Sequence, residues 1–453
     1  YLNGNTQNPV TSWLIFQAFP QLPRGKSRAL GEWFRANYER LEFDTGTGGP
    51  DPYLISQQHG AYQSVPDFLD TKHPVKTAAD AEAYVARLEA FAGLLDQQTD
   101  RQARDANLGV IPPDFILDKA LVQMRAVAQP DADKAGVVVS LARLAAAAGL
   151  GGRVVEDAKT IWREKVLPAL QRQLAQTESL RREATSAAGI GARPHGEEFY
   201  AAALASHTTT SMTAEEVHQL GLEQAAALTA KLNELLRGQG LTQGTVGQRI
   251  RGLYNNPDSF FPNTDAGKVD LIAYANQRQD LVRPALPRFF KRLPPYGFEV
   301  RRVPPSIEAG ASSAYAQGPS MDGSRPGIVY INLADTAEWP RWSLASVIYH
   351  EGMPGHQMEA GLALSNDALP MIRKVGGFAA YSEGWGLYAE QLGKEMGFYQ
   401  DPYSDFGRLS TELWRAVRLV TDTGLHAKRW SREQAMAYFR QNPLLSERAT
   451  QKA

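Results

Sequence analysis

Apolar side chains recur every three or four residues over most of the chain, which is the spacing of one face of an α-helix. Residues 77–107 and 151–184 show this pattern over several turns and consist largely of Ala, Leu, Arg, Glu and Gln, which are strong helix formers. Thr213 and Glu216 have the spacing of a capping box, which predicts the start of another long helix that ends at Arg237. The pattern as a whole predicts a mostly α-helical fold.

Residues 297–333 depart from this helical pattern. Three short runs there, 298–302, 312–316 and 327–332, are rich in β-prone residues and are separated by Gly, Pro, Ser and Asp. They predict a small antiparallel sheet directly before an apolar run at residues 342–349, which we interpret as a buried helix. The sheet could be a plain structural hairpin that packs on this helix.

Length and composition favour a large globular protein. Of the 453 residues, 43% are hydrophobic and 21% are charged, so the chain can bury a substantial core. The formal net charge of −1 argues against a nucleic acid or an anionic membrane as a partner recognised by bulk charge. The most apolar stretch, residues 135–150, is short and contains Arg143, which predicts a core helix and no membrane span.

The apolar run at residues 342–349 leads directly into His350 and Glu351, and His356 follows after Gly-Met-Pro-Gly. Two imidazoles and a carboxylate are costly to bury unless something binds them. Neutral imidazole is a good zinc ligand, and a Glu next to the first His can act as general base on a metal-activated water. The segment therefore predicts a zinc site with His350 and His356 as ligands and Glu351 as the base.

The two histidines are not spaced as in the common HExxH motif. That motif places them at i and i+4, about 40° apart around a helix, whereas i and i+6 would be about 120° apart. Pro354 cannot donate to the carbonyl of His350, and Gly355 frees the backbone to turn, so we expect the helix to open locally. The opening would return His356 to the metal. The alternative is a polar helix end that Pro-Gly terminates, with His350 only hydrogen-bonded.

Two further acids follow in a segment of small and aromatic residues. Glu383 would complete the ligand set of two His and one Glu that catalytic zinc sites use, with the fourth position left for water. Glu390 lies about two helical turns later and so shares a face with Glu383. We assign Glu383 as the ligand, because Gly384 and Gly386 leave room beside it, and Glu390 as a partner that orients an imidazole. In the alternative, both acids are solvated helix residues.

Together these motifs resemble a known family. The His-Glu-x-x-Pro-Gly-His element, the Tyr-Ser-Glu-Gly-Trp segment around Glu383 and the Asp-Thr-Gly-Leu-His segment that ends at His426 resemble the bacterial domain-of-unknown-function family 885. That family is similar to the mostly helical gluzincin metallopeptidases, which implies a large helical fold with a central cleft and a strand that pairs with extended substrate. Many relatives carry a second His directly after the Pro-Gly-His element. This chain has Gln357 there, which leaves His356 as the candidate ligand.

Several other polar residues are candidates for the chemistry or for substrate binding. Arg418, Asp422 and His426 lie at i, i+4 and i+8 and therefore share one helix stripe, and Arg415 lies close to it. His426 could stabilise a tetrahedral oxyanion, and Arg415 or Arg418 could bind a substrate carboxylate. In the structural alternative, Arg418 and Asp422 form an intrahelical ion pair and His426 is a satisfied helix-end residue. Tyr330, on a predicted strand, is a further candidate donor to the transition state.

These inferences converge on a zinc metallohydrolase that cleaves peptide bonds, with Zn²⁺ as its cofactor and a peptide or amide as its substrate. We expect one catalytic domain over residues 1–453, in which two helical halves could flank the cleft. The alternatives are a zinc amidase or carboxypeptidase-like enzyme on non-protein amides, and a non-catalytic helical protein that keeps the metal for stability. The absence of cysteine fits a periplasmic or secreted protein without excluding the cytoplasm, and relatives often carry a signal peptide. Nothing in the sequence fixes an oligomeric state.

Overall fold

The described residues fold into helices and one small sheet. The computed structural model describes residues 52–305, 308, 311–400 and 402–442. These residues belong to two compact units: one contains residues 52–196 and the described part of 305–311, and the other contains residues 197–304 and 312–442. The prediction of a mostly helical fold with a small sheet is confirmed. Within the described residues, no helix combines the length and the apolar character that crossing a membrane requires.

The first unit is a set of packed helices. Its described α-helices are α1 (Ala61–Thr71), α2 (Ala78–Asn107), α3 (Asp114–Val127), α4 (Gly136–Ala147), α5 (Arg153–Ile161) and α6 (Leu167–Glu183). A π-helical turn, Trp162–Val166, joins α5 to α6, so the long helix predicted at 151–184 is present with one local widening. A capping box of Thr77 and Asp80 starts α2. Tyr84, Leu88 and Leu95 of α2 are buried in the core of this unit.

The second unit contains the sheet and the predicted metal motif. Its described α-helices and strands are α7 (Gly196–Thr208), α8 (Ala214–Gly238), α9 (Val246–Tyr254), α10 (Asp265–Val282), β1 (Phe298–Arg302), β2 (Ala314–Gln317), β3 (Gly327–Ile331), α11 (Arg341–Glu351), α12 (His356–Leu364), α13 (Met371–Val375), α14 (Ala379–Glu395), α15 (Pro402–His426) and α16 (Arg432–Gln441). The predicted capping box of Thr213 and Glu216 is present at the start of α8.

The sheet has the strand order β1-β3-β2, with the fully buried β3 in the centre. β2 pairs with β3 in antiparallel fashion, as predicted, and the rings of Tyr315 and Tyr330 face each other across that pair. β1 pairs with β3 in parallel, so the expectation of a wholly antiparallel sheet is corrected. The reason is that β1 and β2 lie on opposite edges of β3 and run in opposite directions, so β3 can be antiparallel to only one of them.

A common apolar core joins the sheet to α10 and α11. Ala275 of α10, Val329 of β3, and Leu344 and Ile348 of α11 are all buried in it. α11 is therefore enclosed on several sides, as the apolar run in its sequence predicts. Burial of its C-terminal end brings the polar residues His350 and Glu351 into the interior as well.

α11 and α15 run parallel, side by side, with a constant register. Oγ of Ser346 lies 3.3 Å from Oγ1 of Thr411, and one turn later Nδ1 of His350 lies 3.0 Å from Nη2 of Arg415. Both pairs are 65 residues apart along the chain. A Cβ on Gly407 would lie 1.8 Å from a carbonyl oxygen in the first turn of α11, so this glycine permits the close approach. Because α11 ends at residue 351, α15 continues past it.

Candidate metal centre

The predicted metal motif lies at a break between two helices. α11 ends at Glu351 and α12 begins at His356, so the predicted local opening of the helix is confirmed. The Met353–Pro354 peptide in the connection is cis. A Cβ on Gly355 would lie 1.8 Å from the carbonyl oxygen of His350, so glycine is needed where the chain turns back this closely.

His350, His356 and Glu383 come together at this break, and each offers one ligand atom within 4.8 Å of the other two. Nε2 of His350 lies 3.4 Å from Oε2 of Glu383, and Nε2 of His356 lies 4.0 Å from Oε1 of the same carboxylate. The ring centroids of the two histidines are 4.7 Å apart, with nearly perpendicular planes. In a tetrahedral site with zinc–ligand bonds of about 2.1 Å, ligand atoms lie about 3.4 Å apart. The three residues therefore form a group that could hold a metal ion.

The two histidines differ in their affinity for a proton. Burial and the adjacent His350 lower the pKa of His356 to about 4, so its imidazole is neutral at pH 7, the state that binds metal. Burial also acts to lower the pKa of His350, but hydrogen bonds with Glu383 and Glu390 outweigh it and raise that pKa to about 9. A metal ion must therefore displace a proton from His350 when it binds.

α14 carries Glu383 and packs closely against His350. A Cβ on Gly386 would lie 2.4 Å from Cε1 of the His350 ring, so this glycine makes room for the imidazole. Gly384 faces open space, with no atom within 4 Å of an added Cβ. The expectation that both glycines make room for Glu383 is therefore corrected, because the space at Gly386 is filled by the neighbouring histidine.

The buried carboxylate of Glu390 binds the other nitrogen of His350. Nδ1 of His350 donates to Oε1 of Glu390 at 2.9 Å, and Nη2 of Arg415 lies 2.9 Å from the same oxygen. Oε2 of Glu390 accepts from Oγ1 of Thr411 at 2.7 Å and from the hydroxyl of Ser346. Burial acts to raise the pKa of Glu390, but Arg415 and His350 outweigh it and lower the pKa to about 2. The ionised carboxylate fixes the orientation of His350, the role predicted for the second acid.

Glu351 directly follows His350 and is buried, with 7% of its surface exposed. Oε2 of its carboxylate has no hydrogen-bond partner among the residues that the structure describes. Burial raises the pKa of Glu351 to about 7. A buried acid with an open acceptor oxygen and a pKa near neutrality can take up and release a proton at pH 7.

Arg415 lies inside the site. The sequence predicts that it binds substrate, whereas the structure places its guanidinium 2.9 Å from Oε1 of Glu390 and 3.0 Å from Nδ1 of His350. Its Nη1 donates to the carbonyl oxygen of Thr411 at 3.2 Å. The positive charge of Arg415 therefore balances the carboxylate that orients His350. A contact between Arg415 and substrate remains a prediction.

The rest of the predicted polar stripe lies beyond the end of α11. Arg418 is exposed and its guanidinium lies 4.8 Å from the centroid of the Trp414 ring, whereas Asp422 accepts from Oη of Tyr200 at 2.6 Å. The ion pair between Arg418 and Asp422 is thus not formed in the described part of the chain. His426 stacks on Tyr200, with ring centroids 5.2 Å apart. Since a helix rises 1.5 Å per residue, His426 lies about 16 Å further along α15 than Arg415, the residue that contacts Glu390.

Tyr330 lies in the central strand of the sheet. It is 8% exposed, and its ring stacks on Tyr315 of β2 with centroids 4.9 Å apart. Such a cross-strand aromatic pair stabilises the sheet. The predicted donation from Tyr330 to a transition state remains a prediction.

Three residues that brace the helix break were not predicted from the sequence. Nε1 of Trp385 in α14 donates to the carbonyl oxygen of Pro354 at 3.0 Å. Nε2 of Gln357 donates to carbonyl oxygens of β2 and β3 at 3.0 and 3.2 Å, which ties α12 to the sheet. Gln279 of α10 bonds to the last turn of α11 and to the connection that follows it. Gln279 could have been noticed in the sequence, because it lies at helical spacing from apolar residues. The same face of α10 buries Leu271, Ala275 and Val282.

Comparisons with other proteins place the chain in a family. The family model described as bacterial protein of unknown function (DUF885) matches residues 22–453. The chain belongs to the DUF885 family. A "putative lipoprotein" from Colwellia psychrerythraea, known from a crystal structure, is similar to this DUF885 protein with a TM-score of 0.86 and 33% identity, over 90% of this chain and 70% of that one. The resemblance that the motifs indicate is therefore confirmed.

A second solved structure shows the same fold. It is a "putative lipoprotein of unknown function" from Shewanella oneidensis, with a TM-score of 0.59 and 17% identity, over 93% of this DUF885 chain and 73% of that one. At this identity the likeness concerns the fold alone. Among curated proteins, no relative matches the chain.

Proposed function

We propose that this DUF885 protein hydrolyses peptide bonds, with zinc as its cofactor and Glu351 as general base. The observation that carries the proposal is the convergence of His350, His356 and Glu383. Glu351, the residue directly after His350, is a buried acid with an open acceptor oxygen. Two His and one Glu form the ligand set of catalytic zinc in thermolysin-type peptidases. The resemblance of the motif to gluzincins supports the same class.

The residues of the site would divide the work as follows. His350, His356 and Glu383 would hold the ion, while Glu390 keeps Nδ1 of His350 engaged so that Nε2 remains available. When bound, zinc supplies Lewis-acid chemistry, because it acidifies water and polarises a carbonyl oxygen. Oε2 of Glu351 accepts a proton from the attacking water, and Glu351 then passes that proton to the amine nitrogen of the leaving group as the amide bond breaks.

The electrostatics of the site support this division. A pKa of about 7, raised by burial, lets Glu351 both accept and return a proton near neutral pH. Arg415 balances the charge of the buried Glu390, so the carboxylate of Glu383 is the negative charge left for the ion. Glu383 is also half-buried, with 40% of its side chain exposed, which leaves a path for solvent or substrate to the site.

A carboxypeptidase-like or amidase variant of this chemistry is the second candidate. It is favoured by Arg418, whose exposed guanidinium contacts the Trp414 ring and no carboxylate among the described residues. Such a group can bind a substrate carboxylate in bidentate fashion. The non-catalytic alternative is disfavoured by Glu351, because a metal that only stabilises the fold does not need a buried acid with an open acceptor beside its ligands.

We also propose that the protein works outside the cytoplasm. The support is that the similar protein from Colwellia psychrerythraea is described as a putative lipoprotein, a class exported from the cytoplasm. The absence of cysteine in this chain is compatible with that location.

The experiment that tests the proposed chemistry is cleavage of an unbiased peptide library by zinc-loaded protein. We expect cleavage that stops with a chelator, returns with added zinc and is lost in Glu351→Gln. Cleavage of an acyl-amino-acid conjugate without cleavage of any peptide selects the amidase candidate. Full zinc occupancy with no hydrolysis of either substrate class contradicts the proposal.

A further inference from the structure

A single buried amide ties the end of the helix that carries His350 to the connection that leads to His356. Nε2 of Gln279 donates to the carbonyl oxygen of Ile348 at 3.0 Å, in the last turn of α11, and to that of Met353 at 3.4 Å, in the connection. Oε1 of Gln279 accepts from the backbone N–H of Met353 at 3.0 Å. Gln279 is 3% exposed, so these bonds form away from solvent. One side chain therefore bonds both to the last turn of α11 and to the connection that follows it.

The break creates the need for such a residue. When α11 stops, the N–H and carbonyl of Met353 lose helical partners in a buried region, and unpaired backbone groups are costly there. Gln279 satisfies both groups from another helix. It stands on a face of α10 that is otherwise apolar, with Leu271, Ala275 and Val282 also buried. An amide on this face is costly to bury unless it makes these bonds.

The fit around the amide is tight. A Cβ on Gly352 would lie 2.7 Å from Nε2 of Gln279, so the connection approaches the side chain as closely as glycine permits. Ile348 and Met353 are the anchor points, and they lie two residues before His350 and three residues before His356. Holding both anchors fixes the path of the connection as it leaves α11, three residues before His356 begins α12.

We propose that Gln279 is a positioning residue of the metal site, which sets the spacing of His350 and His356 across the inserted Pro-Gly. These hydrogen bonds of Gln279 go to backbone groups of Ile348 and Met353 and not to the ring of His350 or His356. Gln279 therefore acts on the site through the backbone. The inference rests on the proposed zinc site, but it concerns metal affinity and geometry rather than hydrolysis. An uninterrupted HExxH helix needs no such brace, because its own hydrogen bonds fix the two histidines.

The test is the zinc affinity of Gln279→Met, which keeps the length and apolar stem of the side chain and removes the amide. Competition titration against a chromophoric chelator should show about 10–100-fold weaker binding, the range typical of residues that orient metal ligands. The visible spectrum of Co²⁺ bound in place of zinc should also change, because ligand geometry changes. A merely structural role would not alter that spectrum.

Gln173→Met is the matched control. Gln173 is a fully buried glutamine in the first unit, and its Nε2 donates to the carbonyl oxygen of Leu95 at 3.2 Å. Its substitution removes a comparable buried amide, so thermal stability can fall while zinc affinity and the Co²⁺ spectrum stay as in the parent. Gln279→Asn, which retracts the same amide by one methylene, serves as the second variant if Gln279→Met does not fold.

The outcomes separate this inference from the proposed function. Parent-like zinc affinity and Co²⁺ spectrum in a folded Gln279 variant overturn the inference, even if peptides are cleaved normally. If the parent binds zinc and cleaves no peptide, the proposed function fails while the affinity comparison still decides the role of Gln279. If the parent binds no zinc at all, both fail.

Discussion

Nδ1 of His350 lies 2.9 Å from the carboxylate of Glu390, while Nε2 of the same ring lies 3.4 Å from the carboxylate of Glu383. Each acid contacts one of the two ring nitrogens of His350, and the two carboxylates differ in their surroundings. Glu390 is 1% exposed and receives hydroxyl and guanidinium donors, whereas Glu383 faces His356 as well and is partly open to solvent. This arrangement supports Glu383 as the ligand and Glu390 as the residue that orients the ring.

The first prediction separates the two acids by zinc affinity. Glu383→Ala should abolish measurable zinc binding, since only two protein ligands remain, whereas Glu390→Gln should weaken it about 10–100-fold. Zinc-competition titration of both variants measures this ranking, and circular dichroism checks that they fold. The reverse ranking would exchange the two roles.

The second prediction concerns the inserted Pro-Gly motif. His350→Ala and His356→Ala should each remove most bound zinc, because three protein ligands leave little redundancy. His218→Ala is a suitable control, since His218 is a buried histidine that bonds Thr423 away from this motif. Elemental analysis of the purified variants gives the stoichiometry. A full complement of zinc in His356→Ala would exclude it as a ligand and point to Glu359, one turn along α12.

The third prediction concerns the general base. Glu351→Gln keeps the size of the side chain and removes the carboxylate, so zinc should remain while turnover falls by roughly 10²–10⁴. Glu359→Gln is the matched control, because Glu359 is a neighbouring acid in α12 that the proposed mechanism does not use. Metal content and kcat are measured on the same preparations. Near-normal turnover in Glu351→Gln removes this residue from the mechanism.

The local parts of this site could be predicted from the sequence. His350, Glu351 and His356 stand within one short segment, and the Pro-Gly between them indicates the break that the structure contains. Strand β1 was predicted with its observed bounds, because β-prone residues between turn-forming residues are a local signal. Glu383 lies on another helix, so its distance from the histidines along the chain does not identify it. It could be predicted because it is an acid in a segment of small and aromatic residues.

The parts that depend on packing between distant segments could not be predicted. Nothing near Arg415 in the sequence shows that α15 lies parallel to α11, a register that places its guanidinium on Glu390. The parallel pairing of β1 likewise depends on which edge of β3 each strand takes. Gln279 lies 74 residues before Met353, so its bonds to the helix break follow only from the packing of α10.

The fourth prediction tests for a carboxylate clamp. Because Arg418 is exposed and lies over Trp414, Arg418→Ala should raise KM more for peptides with a free C-terminal carboxylate than for amidated ones. Arg415→Ala should instead weaken zinc binding, since it removes the charge that balances Glu390. Kinetics with paired free-acid and amidated peptides measure the first effect. If KM rises equally for both kinds of peptide, the argument for carboxypeptidase-like action is removed. Arg418→Ala would then remove only the contact of the guanidinium with the Trp414 ring, which stabilises the fold by about 0.5–1 kcal/mol.

The last prediction is that the effect of His426 on hydrolysis depends on the length of the peptide. Its ring stacks on Tyr200 about 16 Å past Arg415 along α15, a distance that an extended peptide covers in about five residues. We therefore expect His426→Ala to lower kcat/KM for long peptides and to leave the shortest substrates nearly unchanged. Tyr200→Phe is the control, because it keeps the stacked ring and removes only the hydrogen bond to Asp422. A series of peptides of increasing length measures the effect. A loss in kcat that is equal for the shortest and the longest peptide would instead support direct stabilisation of the oxyanion, because an interaction with the reacting carbonyl does not depend on substrate length.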